Sequence, residues 1–314
     1  MRLTNVKVSD PLNASAKPVL IVELALLGLL ALLWGSSYFF IKVAVPEIPP
    51  VTLIAIRVTV AALFLLAVLS WRKDRLPRDA RTWRMLLLQS VFNSTAAWTL
   101  LAWGQQYVDS GLASVLNSTS PIFVFLFTVF ITRHEATSGL KLFGACLGLF
   151  GVTMIVGVDA LAGLGQQVAG QLAAIAGAVL YACAAIYGKR FAHISATATA
   201  AGTMICAAMV LVPASLMLEH PWTLSPSVKA VAAASVLSVF CTACALLIYF
   251  RLLRTLGSMG TASQAYLRAG FGVALGVVFL GEHITPVIGL GLVAAIIGVA
   301  VINIPVRAKR APGV

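Results

Sequence analysis

Charge is what this 314-residue chain has least of. Only 10% of its residues are charged, 10 acidic against 22 basic, while 60% are hydrophobic and the mean hydropathy is +0.99. A soluble domain carries roughly a quarter charged residues, so a water-facing surface of this length could not be covered. The five cysteines (Cys146, Cys183, Cys206, Cys241, Cys244) all fall within apolar runs, and no disulfide framework follows from them. Cys241 and Cys244 form a C-x-x-C without a second ligand pair, which reads as two small buried residues one helical turn apart. The histidines (His134, His193, His220, His283) are dispersed over separate loops, too far apart in sequence for a metal site. There is no H-E-x-x-H, no Walker loop and no G-x-S-x-G, hence no expected cofactor, no ATP-driven machinery and no catalytic nucleophile.

What the chain has instead is apolar runs along its whole length. Ten of them are candidate membrane spans: 19–41, 50–71, 85–106, 111–132, 138–157, 168–188, 197–218, 229–250, 259–280 and 285–304. Most approach the roughly 20 residues needed to cross a hydrocarbon core of about 30 Å. In lipid the backbone must satisfy its own hydrogen bonds, and continuous runs, not short alternating ones, predict helices and not a barrel. Residues 1–18 are polar and mixed, and the first run is too long for a signal-peptide core, so it is expected to remain as a span.

The net charge of +12 raises the question of nucleic acid, and placement answers it. With the N-terminus inside, 18 of the 22 basic residues fall on the cytoplasmic side, among them the cluster Arg72, Lys73, Arg75, Arg78, Arg81 and Arg84. The opposite side holds only Lys229, and Lys42, Arg57 and Arg268 lie within spans. This is the positive-inside pattern of a polytopic membrane protein with both termini cytoplasmic, and no nucleic-acid partner is expected.

One pattern also occurs twice, 147 positions apart. Trp34 and Lys42 of WGSSYFFIK align with Tyr181 and Lys189 of YACAAIYGK, and Glu135, Gly144 and Gly151 align with Glu282, Gly291 and Gly298. Ten spans in two matching halves make five per half, and an odd number forces the second half to enter the bilayer inverted. The expected fold is therefore an all-α polytopic membrane protein of two inverted five-helix repeats, 19–157 and 167–304, followed by a basic tail, 305–314.

Polar side chains inside spans are costly, so they mark candidate sites. Arg268 is foremost: it falls near the midplane with no Asp or Glu at comparable depth, and an anionic solute group or water would satisfy it. Trp34, Ser37 and Tyr38, with Trp98, Tyr181 and Tyr266, are candidates for a cavity wall, and Asn93, Asn117 and Gln264 for orienting hydrogen bonds. Arg57 and Lys42 are secondary candidates: Arg57 could reach an interface by snorkelling, and Lys42, near the outer end of its span, reads equally well as a snorkelling anchor. The pairs Gly144/Gly148 and Gly272/Gly276 read as close helix packing.

These residues also carry a resemblance. WGSSYFFIK at 34–42, Arg57 after Pro49-Pro50, GLASVLNSTSPIF at 111–123, Glu135 before a glycine-rich helix, and GTASQAYLRAGFGVALGVVFLGE at 260–282 resemble the EamA-type family of the drug/metabolite transporter superfamily. The resemblance implies a ten-helix carrier in a bacterial inner membrane that exports or exchanges amino acids or related small metabolites by alternating access, without ATP. Carriers of drugs or nucleotide-sugars in the same superfamily are the alternative, and an intramembrane enzyme a remote one. The expected partners are a small-molecule solute and the lipid bilayer, with a homodimer left open. The second copy departs from the family by having Arg268-Ala269-Gly270 where proline is common, which makes Arg268 the expected site of substrate individuality.

Overall fold

A computed structural model describes residues 16–127, 130, 139–156, 166–191, 193–255, 264–283 and 285–302, and all regular structure among these is helical. The helices are α1 (Ala16–Ala44), α2 (Pro50–Trp71), α3 (Ala80–Ser90), α4 (Ala96–Gly104), α5 (Ser110–Asn117), α6 (Ser120–Phe127) and α7 (Gly139–Val156). They continue as α8 (Gln166–Gly188), α9 (Ala196–Leu218), α10 (Val228–Ser238), α11 (Ala245–Thr255), α12 (Gln264–Leu280) and α13 (Pro286–Ile302). Seven stretches among the described residues are long and apolar enough to cross a membrane, and three shorter apolar stretches lie in α7, α12 and α13. The chain is a multi-pass membrane protein.

Three spans are not the uninterrupted helices expected from their apolar runs. A π-helical segment at Val91–Thr95 joins α3 to α4, and another at Val239–Cys244 joins α10 to α11. Shifted by 147 positions the first segment falls on 238–242, so the two wide turns overlap in the repeat, with Thr95 and Thr242 as counterparts. The expected span 111–132 is instead two helices, α5 and α6, parted by a turn at Ser118 and Thr119. Pro121 explains the break: it has no N–H for the helical ladder and its ring displaces the preceding turn. Side chains back-bond to the turn before the break, Ser118 Oγ donating to Ser114 O at 2.7 Å and Thr119 Oγ1 to Leu116 O at 2.6 Å.

The glycine landmarks of the repeat meet face to face. A Cβ on Gly298 would lie 2.6 Å from Gly144 O and 2.4 Å from Gly148 N, and one on Gly151 would lie 2.6 Å from Gly291 O and 2.5 Å from Ala295 N. Gly144 with Gly298, and Gly151 with Gly291, is the exchange of partners that a local two-fold axis between α7 and α13 produces. Helices α2 and α9, at matching positions in the two halves, likewise pack along each other.

Carboxylates from distant loops close the helix ends, where the first N–H groups have no partner within the helix. Glu219 accepts from Val51 N at 3.0 Å and Thr52 N at 2.6 Å at the start of α2. Glu282 accepts from Ser110 N at 2.7 Å and Gly111 N at 2.9 Å at the start of α5. Glu47 accepts from Ser227 N at 2.6 Å and Ser227 Oγ at 2.8 Å before α10. These three lie at one end of the bundle. At the other end Ser195 Oγ donates to Asp74, and Arg251 pairs with Glu23 at 2.8 Å.

Candidate functional site

The centre of the bundle holds two buried arginines, and each reaches across to the other half of the chain. Arg57, on α2, is 4% exposed. Its Nε donates to Thr242 Oγ1 at 2.7 Å, and its guanidinium carbon lies 3.8 Å from the centroid of the Trp98 ring. It does not snorkel to an interface as the sequence allowed. A desolvated guanidinium on an indole face is stabilised by about 2 kcal/mol or more, which offsets part of the cost of burying the charge. Trp98 Nε1 in turn donates to the Tyr181 hydroxyl, so first-half and second-half aromatics join behind Arg57.

Arg268, on α12, is 8% exposed. Its Nη2 donates to Ser118 Oγ at 3.4 Å, at the break between α5 and α6, and its Nε is buried without a partner. The close approach that places it there requires glycine on both sides. A Cβ on Gly35 would lie 2.9 Å from Arg268 O and 2.7 Å from Phe271 Cβ, and one on Gly272 would lie 2.2 Å from Ser114 Oγ. Among the described residues neither arginine has a carboxylate partner.

The neutral polar candidates divide. Asn117 Nδ2 donates to the Tyr38 hydroxyl at 2.5 Å while its Oδ1 is buried and unpartnered, and Gln264 Oε1 is buried and unpartnered as well. Gln264 precedes Arg268 by four residues on α12, hence on the same helix face. Tyr38 is buried, and its carbonyl accepts from Gln105 Nε2 at 2.7 Å. Others are committed elsewhere. Ser37 Oγ donates to Trp34 O at 2.6 Å within its own helix, Trp34 packs on Tyr249 with ring centroids 5.3 Å apart, and Asn93 Nδ2 donates to Ser94 Oγ at 3.1 Å. Lys42 donates to Gln105 O at 2.9 Å and Val108 O at 2.6 Å, closing the carboxyl end of α4. The Tyr266 side chain lies outside the described residues, as does Glu135.

Two partners could not be read from the sequence. Thr242, which holds Arg57, is 185 residues from it, and its only signal is that it repeats Thr95. Gln105 carries no signal at all.

A small pocket of about 60 Å³ opens at the Glu282 end, lined by Asp109, Gln167, Glu282 and His283 among apolar residues of α5, α12 and α13. Gly276 makes room there for the Glu282 carboxylate, since a Cβ would lie 2.1 Å from its Oε2. Partial burial and the nearby Glu282 carboxylate raise the Asp109 carboxyl above its ordinary value, against the opposing pull of Lys42 and His283. Hydrogen bonds from Ser227 hold Glu47 below the usual carboxylate value, and bonds from Thr82 do the same for Asp79.

Comparison with known proteins gives this arrangement a family. A relative in Escherichia coli strain K12, the uncharacterized inner membrane transporter YedA, is 26% identical over 275 residues, 88% of each chain. The uncharacterized transporter YvbV of Bacillus subtilis strain 168 is 25% identical over 296 residues, 92% of this chain and 94% of its own. A solved crystal structure, 20% identical, shares the fold with a TM-score of 0.62, covering 88% of this chain and 94% of that one. The model of the EamA-like transporter family matches residues 22–157 and again residues 168–304. Covered twice over by that model, this multi-pass membrane protein belongs to the EamA-like transporter family.

Proposed function

We propose that the protein is a secondary transporter that moves a small zwitterionic metabolite, an amino acid or a close relative, across the bacterial inner membrane by alternating access. The observation that carries this is a set of unsatisfied buried atoms around Arg268. Arg268 Nε is a donor without an acceptor, and Asn117 Oδ1 and Gln264 Oε1 are acceptors without donors. Leaving a buried charged donor unpaired costs several kcal/mol. A carboxylate at Arg268 with an ammonium at the two amide oxygens answers all three. In this reading Trp98, Tyr181 and Tyr38 wall the solute, and Trp34, Ser37 and Asn93, whose side chains have other partners, serve only to support that wall.

Alternating access is supported by the duplication. Ten spans arranged as two inverted repeats, 19–157 and 167–304, would place the site between halves that can exchange conformations. The 147-residue offset of the π-helical segments and the reciprocal glycine contacts favour that arrangement. Among the described residues the central cluster includes no carboxylate or histidine, which favours exchange or facilitated movement over proton coupling. Export or exchange, with both termini in the cytoplasm, follows the charge placement and the family.

The test is transport of a solute panel, amino acids first and lipophilic cations second, by purified protein in liposomes. Amino acids should be moved, and Arg268→Ala should abolish that movement while the protein remains folded by size exclusion and thermal midpoint. Uptake of cations alone, or full transport by Arg268→Ala, would overturn the reading.

A further inference from the structure

Arg57 is the buried charge that the proposed site leaves without a task, and its contacts give it one. The two π-helical segments overlap at the 147-residue offset, with Thr95 and Thr242 as counterparts. A π turn carries one residue more than an α turn, and such turns are frequent at functional sites. Gaining or losing one turns the helix beyond it by about 100° and shifts it about 1.5 Å. The helices beyond these two segments, α4 and α11, carry Trp98 and Tyr249.

Arg57 stands between them. Its Nε is bonded to Thr242 inside the second segment, and its guanidinium lies on Trp98, three residues past the end of the first. Thr242 Oγ1 itself donates to Leu237 O at 2.8 Å, five residues back, the spacing of the wide turn it stabilises. The counterpart is bare. Thr95 Oγ1 is buried with no hydrogen-bond partner, and the position 147 after Arg57 is the apolar Met204. One wide turn is thus pinned and the other is free.

We infer that Arg57 is a positioning residue that couples the two π-helical segments, fixing the one at 239–244 through Thr242 and following the free one at 91–95 through Trp98. Only arginine can serve both contacts, because its planar fork stacks on an indole face while its Nε points along the edge, and a lysine ammonium cannot. In the transport reading above, on which the kinetic part of this inference rests, the free segment changes turn type as the site changes sides, and Arg57 passes that change to the other half.

The test uses full-length protein in lipid nanodiscs, with amide hydrogen exchange as the readout that needs no substrate. Thr242→Val removes the hydroxyl at constant shape and should accelerate exchange at 91–98 as well as at 239–244, by about ten-fold for the loss of one charge-assisted hydrogen bond. Thr242→Ser should restore protection in both, and Arg57→Lys, which leaves Thr242 untouched, should deprotect 91–98. Thr95→Val should leave 239–244 unchanged. In liposomes, Thr242→Val should slow amino-acid counterflow about ten-fold while the binding Kd stays within about two-fold, the split expected of a residue that positions and does not bind. Acceleration confined to 239–244 would overturn the coupling, and a Kd that weakens in step with transport would make Arg57 a ligand instead. If no solute in the panel moves, the transport reading fails while the exchange data still decide the coupling.

Discussion

Adding one carbon where α7 crosses α13 should separate the two halves of the bundle. In Gly298→Ala the new Cβ would lie 2.4 Å from Gly148 N, 2.6 Å from Gly148 Cα and 2.6 Å from Gly144 O. Ordinary contact begins near 3.4 Å, so the helices must part by about 1 Å along the crossing. All three obstructing atoms are backbone, so no side chain can rotate away to make room. Overpacking of this kind costs about 1–3 kcal/mol, and the rigid obstruction places this case in the upper part of the range. Gly28→Ala is the matched control: nothing lies within 4 Å of its new Cβ, and alanine is favoured over glycine inside a helix by about 0.5–1 kcal/mol. The assay is the unfolding midpoint of purified protein, by heat or by titrating a mild detergent with a denaturing one. Gly298→Ala should fall well below the wild type and Gly28→Ala should match or exceed it. Equal midpoints for the two variants would refute the account of the crossing. Gly151→Ala, which meets Ala295 N at 2.5 Å, should resemble Gly298→Ala, and the double variant should lose less than the sum because the first substitution has already opened the gap.

Other expectations concern the polar ends of the helices. Lys42→Met leaves the carbonyls of Gln105 and Val108 without their donor and should lower stability by about 1–3 kcal/mol, seen as a lower thermal midpoint with solute affinity unchanged in the folded fraction. The Asp109 carboxyl is raised in the folded protein, so the unfolded chain loses its proton first as pH rises. Its penalty is therefore absent below the ordinary aspartate value and grows until pH passes the folded value. Asp109→Asn should be the more stable protein at neutral pH and should show a flatter stability profile across that window. Glu47 and Asp79 are shifted the opposite way, and what they contribute is present at neutral pH and lost as pH falls through their lowered values, which midpoints measured from about pH 3 to 7 would reveal.

The helical class, and the apolar stretches that hold the helices, were legible because lipid leaves the chain so few choices: a continuous apolar run must satisfy its own backbone. Glycine spacing in 144–151 and 291–298 announced close packing, and the structure sets the two patterns against each other. What remained hidden were features that hydrophobic periodicity does not encode. A single extra residue in the turn at 91–95 or 239–244 leaves the apolar run intact. The break at Ser118 follows from Pro121 three residues on, but an intramembrane proline can also leave a helix merely kinked. Lys42 looked like an interfacial anchor because its carbonyl partners sit 63 and 66 residues away. Gly272 and Gly276 do mark close packing, against Ser114 and Ser110 of α5, but Gly276 also makes room for the Glu282 carboxylate, which the spacing does not announce. Arg57 and Arg268 were conspicuous as charges in apolar runs, yet only three-dimensional contacts separate them, one held by an indole and a threonine, the other with a donor to spare.

The carboxylate caps bear on how the chain is made. Val51 and Thr52 wait for Glu219, and Ser110 and Gly111 wait for Glu282, so the opening turns of α2 and α5 are completed by residues synthesised more than 160 positions later. Ser227 is the reverse case, since its partner Glu47 was made 180 positions earlier. Until Glu219 and Glu282 are made, the opening N–H groups of α2 and α5 can be met only by water at the membrane surface. Severed at the middle, neither half could finish its own helices: α2 and α5 would lack Glu219 and Glu282, and the start of α10 would lack Glu47.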